Sequence, residues 1–346
     1  MHVPDGFLDL PTSIATGAIA AGAVALAVRK STQELRESGV PLAGLTAVFV
    51  FAAQMVNFPV AVGASGHLLG GALAAVLVGP WTAVLCMSVV LGVQALFFAD
   101  GGLTALGTNI LLMAVVTPLV GYYTARGVLF TRPRRPGSAV SAAPVGAFVS
   151  VLAAALSFVG LYALGGVVPL PIGTLTMAML GWHAVIGLGE ALITGAVVAT
   201  VVASRPDLVH LVRHLRPTLV HVGPDGRRRP VTASALAAPA RPGRAWVGTA
   251  AALCLIVAGG LSLVASASPD GLEHVAATLG FDSAARDSAS AGSPLADYTV
   301  AGLGTWSTPL AGILGVLVVA LGAWALFAVV RRVGPQAGVD PAVESR

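Results

Sequence analysis

Met1 and His2 set three nitrogens in a row: the α-amine, the His2 backbone nitrogen and the His2 imidazole Nδ1. Removal of an initiator Met generally requires a small second residue. His is large, so Met1 is expected to stay and to keep a free amine. The first two nitrogens close a five-membered ring on a metal ion, and the next two close a six-membered ring. Planar nitrogen donors of this kind suit Cu(II) or Ni(II), the square-planar and tetragonal ions. Each donor must shed its proton to bind, so affinity rises with pH. The competing reading is an exposed N-terminal His with no metal role.

His67, in Gly63-Ala64-Ser65-Gly66-His67-Leu68-Leu69-Gly70-Gly71, is the second candidate. It is either the fourth in-plane nitrogen or an interfacial His facing water. Asn57 and Asn109, near the outer ends of apolar runs, and Ser65 beside His67 are the candidates to hold the ligating imidazoles in place by hydrogen bonds, with helix–helix hydrogen bonding the alternative for the two asparagines. Gln54, Gln94 and Thr108 are open to the same reading or to helix–helix hydrogen bonding. His183 and Glu190 lie seven residues apart, two helical turns, and so share a face. They form either a second metal or relay site or a structural polar contact. Asp5, between Pro4 and Gly6, reads as a turn residue. His210, His214 and His221 read as a solvated face. Cys86 and Cys254 sit in separate apolar runs and suggest neither a disulfide nor a thiolate site.

The elements that must position these residues are membrane helices. Of 346 residues, 56% are hydrophobic and only 10% charged, against about 25% charged in a soluble domain. The mean hydropathy is +0.88. Such a chain cannot cover itself with polar surface and needs lipid as solvent. Its 42 glycines suit close packing of helices in lipid. The expected fold is an all-α polytopic bundle of seven plus two spans, at 10–28, 41–62, 68–80 (short), 81–99, 103–125, 140–165, 183–203, 246–267 and 307–330. Gly79-Pro80-Trp81 reads as a tight turn between the third and fourth. With the N-terminus outside and the C-terminus cytoplasmic, all but one of the 19 Lys and Arg fall inside, and only Arg286 lies outside, as the positive-inside rule requires. The basic excess (net charge +4) is thereby a set of topology signals and gives no reason to expect nucleic acid. The chain divides into a seven-span unit, 1–204; a basic cytoplasmic linker, 205–245; a two-span hairpin, 246–332, with a long outer loop at 268–306; and a cytoplasmic tail, 333–346.

Met1-His2-Val3-Pro4-Asp5-Gly6-Phe7-Leu8 resembles the opening of the nickel/cobalt substrate-capture subunits (NikM/CbiM) of energy-coupling factor ABC transporters. The Gly66-His67 segment and the run from His183 to Glu190 match that family too, so the resemblance covers residues 1–204. It implies a planar site made by the Met1 amine, the His2 amide and imidazole, and a loop His at position 67. Ser268-Pro269-Asp270-Gly271-Leu272-Glu273 resembles the small PDGLE-type accessory domain (NikN/CbiN) of the same systems. Asp270, Glu273 and His274 there either meet incoming cations or form a turn and a helix cap. Pro4-Asp5 tilts the resemblance toward nickel. No Gly-x-x-x-x-Gly-Lys-[Ser/Thr] stretch occurs, so the chain has no P-loop. The resemblance therefore implies a transmembrane coupling subunit and two ATPase subunits as partners, a prokaryotic plasma-membrane location, and Ni(II) or Co(II) as transported substrate with no permanently bound cofactor.

Two rival functions remain on the sequence. Gly63-Ala64-Ser65-Gly66 matches the Gly-x-Ser-Gly of rhomboid intramembrane proteases, with His183 as the base that Ser65 would need. That reading leaves Met1-His2 unexplained. A stand-alone permease would need no ATPase, but the spans hold no row of carboxylates for a proton-coupled path.

Overall fold

The computed structural model describes residues 1–61, 63–133, 135–215, 220–222, 228–230, 243–300 and 302–333. Most of the basic linker and the tail after 333 lie outside the described residues. Residues 1–9 run as an irregular strand into the protein. Helix α1 (Leu10–Ser38) starts where the Asp9 carboxylate accepts from Thr12 N (2.9 Å), an N-cap that satisfies a donor the helix cannot. Helix α2 (Val40–Gln54) leads into an antiparallel hairpin, β1 (Phe58–Ala61) with β2 (Ala64–Gly66). After it come α3 (Gly71–Val78), α4 (Pro80–Phe97), α5 (Leu106–Phe130), α6 (Ala139–Gly165) and α7 (Ile172–Ser204). The linker contributes a short hairpin, β3 (Val220–Val222) with β4 (Arg228–Pro230). Helices α8 (Arg244–Gly259), α9 (Gly271–Leu279) and α10 (Ser307–Val333) complete the chain.

Among the described residues seven helical segments are long and apolar enough to cross a membrane: α1, α4, α5, α6, α7, α8 with the turn that extends it to Val264, and α10. Large apolar side chains face outward along them, such as Leu164 at 80% exposure, Leu192 at 75% and Trp324 at 66%. Lipid, not water, suits such a surface. The protein is therefore a multi-pass membrane protein. The spans expected at 41–62 and 68–80 take a shorter form. Helix α2 has 15 residues and stops at Gln54, and α3 has eight, every one buried. Residues 64–70 of the irregular backbone between them are buried in protein, where polar groups find partners. The turn at Gly79 packs against the end of α1. Ser38 Oγ donates to the Val78 carbonyl (3.3 Å), and the Glu34 carboxylate accepts from Thr82 N (2.7 Å) and Trp81 N (3.3 Å) at the start of α4. Gly79 has φ +102°, and a Cβ there would stand 2.5 Å from the Glu34 carboxyl carbon, so only glycine fits. Lys30 lies 4.7 Å from the Trp81 ring centre.

The first stretch of the linker is not a solvated face. Leu208, Val209, Leu211 and Val212 are buried, and Arg213 Nη1 donates to Glu37 Oε2 (3.0 Å) beneath α1. The His210 ring lies 5.8 Å from that of Tyr122. The side chains of His214 and His221 lie outside the described residues.

Candidate metal centre

The N-terminal strand is threaded through the bundle by its backbone. Asn109 clamps Val3 from both sides: Val3 N donates to Oδ1 (2.7 Å) and Nδ2 donates to the Val3 carbonyl (3.1 Å). A seven-residue π-helical segment, Ile110–Val116, begins directly after Asn109, a distortion common at functional sites. Asp5 is no simple turn residue. Its carboxylate accepts from Leu103 N (3.2 Å), Thr104 N (2.8 Å), Thr104 Oγ1 (2.5 Å) and Ala105 N (3.2 Å). Gly102 N donates to the Val3 carbonyl (3.0 Å). A Cβ on Gly102 would lie 2.0 Å from Asp5 Oδ1, so this contact requires glycine. Further along, Arg286 N donates to the Asp5 carbonyl (2.8 Å) and Val167 N to that of Phe7 (3.1 Å).

These contacts bury the Met1 amine beside His67. The His67 Nδ1–H donates to the Leu68 carbonyl (3.0 Å). A carbonyl only accepts, so the neutral ring leaves the Nε2 lone pair as an acceptor for the Met1 ammonium. That lone pair faces the Met1 nitrogen at 2.6 Å. In a square of nitrogens about 2.0 Å from a metal, adjacent donors stand about 2.8 Å apart. The separation between amine and His67 is thus close to one edge of that square. The His2 ring stacks on His67 with centroids 5.2 Å apart and planes at 19°, and its Nδ1 contacts the Asp100 carboxylate. From the second domain comes Asp270. Its Oδ1 accepts from Leu272 N (2.8 Å) and Glu273 N (2.9 Å), and Asp270 N donates to Glu273 Oε2 (2.9 Å), a capping box at the start of α9. Its Oδ2 pairs with the Met1 ammonium and lies 3.5 Å from His67 Nε2.

The charge states follow from this packing. Burial, then the adjoining ammonium, pushes His67 below the usual imidazole range, against the opposing pull of Asp270. Burial alone would raise the Asp270 carboxyl, but the ammonium and His67 outweigh it and hold it well below the usual range. Asp100 is likewise raised by burial and lowered more strongly by His2 and by the Tyr298 hydroxyl, ending at about 2. Tyr298 donates to Asp100 Oδ2 at 2.6 Å.

The loop after His67 is held by two buried side chains. Glu190 accepts from Leu69 N (2.5 Å) and Gly70 N (2.8 Å), and Gln54 Nε2 donates to the Leu69 carbonyl (2.8 Å). Gln94 Nε2 in turn donates to Gln54 Oε1 (2.9 Å). A cavity of about 370 Å³ opens over the site, with His2, Asn57, His67, Asp100, Asp270 and Glu273 among its lining residues.

The residues singled out in the sequence thus take distinct places. Met1, His2 and His67 come together. Asn109 orients the strand that carries the chelate. Asn57 gives only cavity wall, and its main-chain carbonyl accepts from Ser266 N (2.8 Å). Ser65 does not orient His67. It is buried, and its hydroxyl donates to the carbonyls of Ser268 (2.6 Å) and Pro269 (3.2 Å), which fastens the second domain. His183 keeps Nδ1 on the Met179 carbonyl (2.8 Å), not on Ser65, so the arrangement lacks a serine–histidine pair. His183 and Glu190 do not pair either, since Glu190 serves the His67 loop. Sequence reasoning missed the carboxylates of Asp5 and Asp100, and their one local signal was acidic charge beside glycine (Asp5-Gly6, Asp100-Gly101). Among the described residues no three His, Cys, Asp or Glu side chains form a ready metal set. A metal held here would need main-chain nitrogen.

Comparison with known proteins agrees with this architecture. The chain matches the family model described as the cobalt uptake substrate-specific transmembrane region over residues 2–208, and that of the PDGLE domain over residues 244–332. It is 34% identical to a putative fused nickel transport protein NikMN of Archaeoglobus fulgidus, over 93% of this chain and 97% of that protein. It is 35% identical to the fused nickel transport protein NikMN of Rhodobacter capsulatus, over 77% and 73% of the two chains. A crystal structure of a transition metal transporter superposes with a TM-score of 0.51 at 32% identity, covering 58% of this chain and 92% of that one. With its N-terminal strand, α1–α7 bundle and PDGLE hairpin, the chain belongs to the family of cobalt-uptake substrate-specific transmembrane regions, a family of transport proteins and not of enzymes, here continued by a PDGLE domain.

Proposed function

We propose that this chain captures Ni(II), in preference to Co(II), on the outer face of a prokaryotic plasma membrane, as the substrate-binding component of an energy-coupling factor transporter. The observation that carries the reading is the Met1 amine, buried in the bundle and donating to His67 Nε2 at 2.6 Å. The Met1 amine, the His2 amide and the His2 imidazole fill three corners of a plane, and His67 fills the fourth. The amine is paired with Asp270 and the His2 ring with Asp100. The incoming ion displaces both contacts. Ni(II) is favoured because it accepts planar nitrogen and displaces an amide proton more readily than Co(II).

With no P-loop of its own, the chain takes its energy from a transmembrane coupling subunit and two ATPase subunits. The N-terminus-out orientation puts the cavity outside and the basic ends of the helices inside. Binding of nickel and cobalt to purified full-length protein tests the reading. His2→Ala and His67→Ala each lower nickel affinity by at least 100-fold, because each removes one corner of the plane. Nickel bound by both variants as tightly as by the wild type would overturn it.

A further inference from the structure

His183 has no role in the capture plane, yet it is not an ordinary buried histidine. It is 1% exposed and lies on α7. Its Nδ1–H donates to the Met179 carbonyl (2.8 Å). In the neutral ring this leaves Nε2 as a bare lone pair, and that atom is buried with no partner among the described residues. An unpartnered buried polar atom is costly and calls for an explanation. The crevice it shares with Met1, His67 and Asp270 is too tight to admit a water molecule, so water does not satisfy it. A dehydrated ion approaches an imidazole nitrogen to about 2.0 Å, closer than any hydrogen-bond partner, and such an ion suits this lone pair.

Helix α7 also links the two imidazoles mechanically. Two turns beyond His183, Glu190 holds Leu69 and Gly70, the residues that follow His67. Movement of α7 therefore carries the His67 loop with it. Gly271, next to Asp270, packs on the His183 ring: a Cβ there would lie 3.6 Å from Nε2.

We propose that His183 Nε2 is a transit ligand, the first new donor taken by the divalent transition-metal ion when it leaves the N-terminal plane for the interior. This rests on the capture reading above. His183 is thus dispensable for binding and required for passage.

The test uses His183→Phe, which keeps a flat ring without a donor, His183→Gln, which keeps a polar side chain with a poor metal donor, and His183→Cys, which restores a donor. Equilibrium nickel binding is measured on the full chain, and nickel uptake on the chain with its coupling and ATPase subunits in vesicles. The expected result is a Kd within about threefold of wild type for each variant. Uptake falls at least tenfold for Phe and Gln and recovers in part for Cys. Wild-type uptake by either donor-free variant overturns the proposal. So does a Kd that weakens by the same factor as uptake, which marks a role in capture or packing. If the Phe variant does not fold, the Gln and Cys pair decides alone. Wild-type nickel binding that is indifferent to His2→Ala sinks the capture reading instead, because His183 is not tested by that comparison.

Discussion

Nickel capture by this chain should release two protons, one from the Met1 ammonium and one from the His2 amide. The ammonium is paired with Asp270 in the metal-free chain, and it must lose its proton before it can ligate. The amide must lose its proton for its nitrogen to bind. His67 is expected to add none, because burial and the adjoining ammonium lower its pKa and so favour the neutral ring. Two protons per ion make the Kd fall about 100-fold per pH unit, or about 2.7 kcal/mol, while both groups remain protonated. The assay is titration calorimetry at three pH values, repeated in two buffers of different ionisation enthalpy, which counts protons directly. A measured release below one proton per nickel would refute the reasoning, because the amine and amide cannot then both be ligands.

Other perturbations separate the scaffold from the chelate. Glu190→Gln leaves one of the Leu69 and Gly70 donors facing an amide NH₂. It should cost about 2–3 kcal/mol of stability and at least tenfold in nickel affinity, read by thermal melting and equilibrium binding. Gly102→Ala drives a Cβ into the Asp5 carboxylate and backbone. It should free the N-terminal strand and abolish high-affinity binding, with normal affinity counting against the threading described here. Asp100 has its folded pKa held at about 2, below its ordinary 3.8. Its contribution, roughly 2–3 kcal/mol, is therefore present at neutral pH and disappears as pH falls through about 2. Asp100→Asn should accordingly lower the melting temperature at pH 7 and leave little difference from wild type at the acid end. Ser65→Ala removes the hydroxyl that donates to Ser268 and Pro269. It should speed proteolysis of the 268–306 loop without lowering nickel affinity more than about threefold.

Much of this was legible in the order of residues. The apolar runs specify a polytopic bundle, and the first two residues place three nitrogens in a row at its N-terminus, because each depends only on local composition or on adjacent residues. Gly79-Pro80 marks a turn for the same reason. Tertiary structure decided the rest. That α2 stops at Gln54 and α3 has only eight residues follows from Gln54 and Glu190 satisfying the backbone of the intervening loop, across 15 and more than 100 residues. No local pattern records such partners. The role of Asp5, bound to residues 103–105, and that of Ser65, bound to residues 268 and 269, depend likewise on chain closure between distant segments. Asp270 illustrates the division: its Oδ1 performs the helix cap written in Asp270-Gly271-Leu272-Glu273, whereas its Oδ2 meets an amine 269 residues away. The sequence by itself determined the donors and the membrane as solvent, since these are properties of residue types. Only the packed bundle determined which buried nitrogens find a partner and which, such as His183 Nε2, do not, since that depends on where folding excludes water.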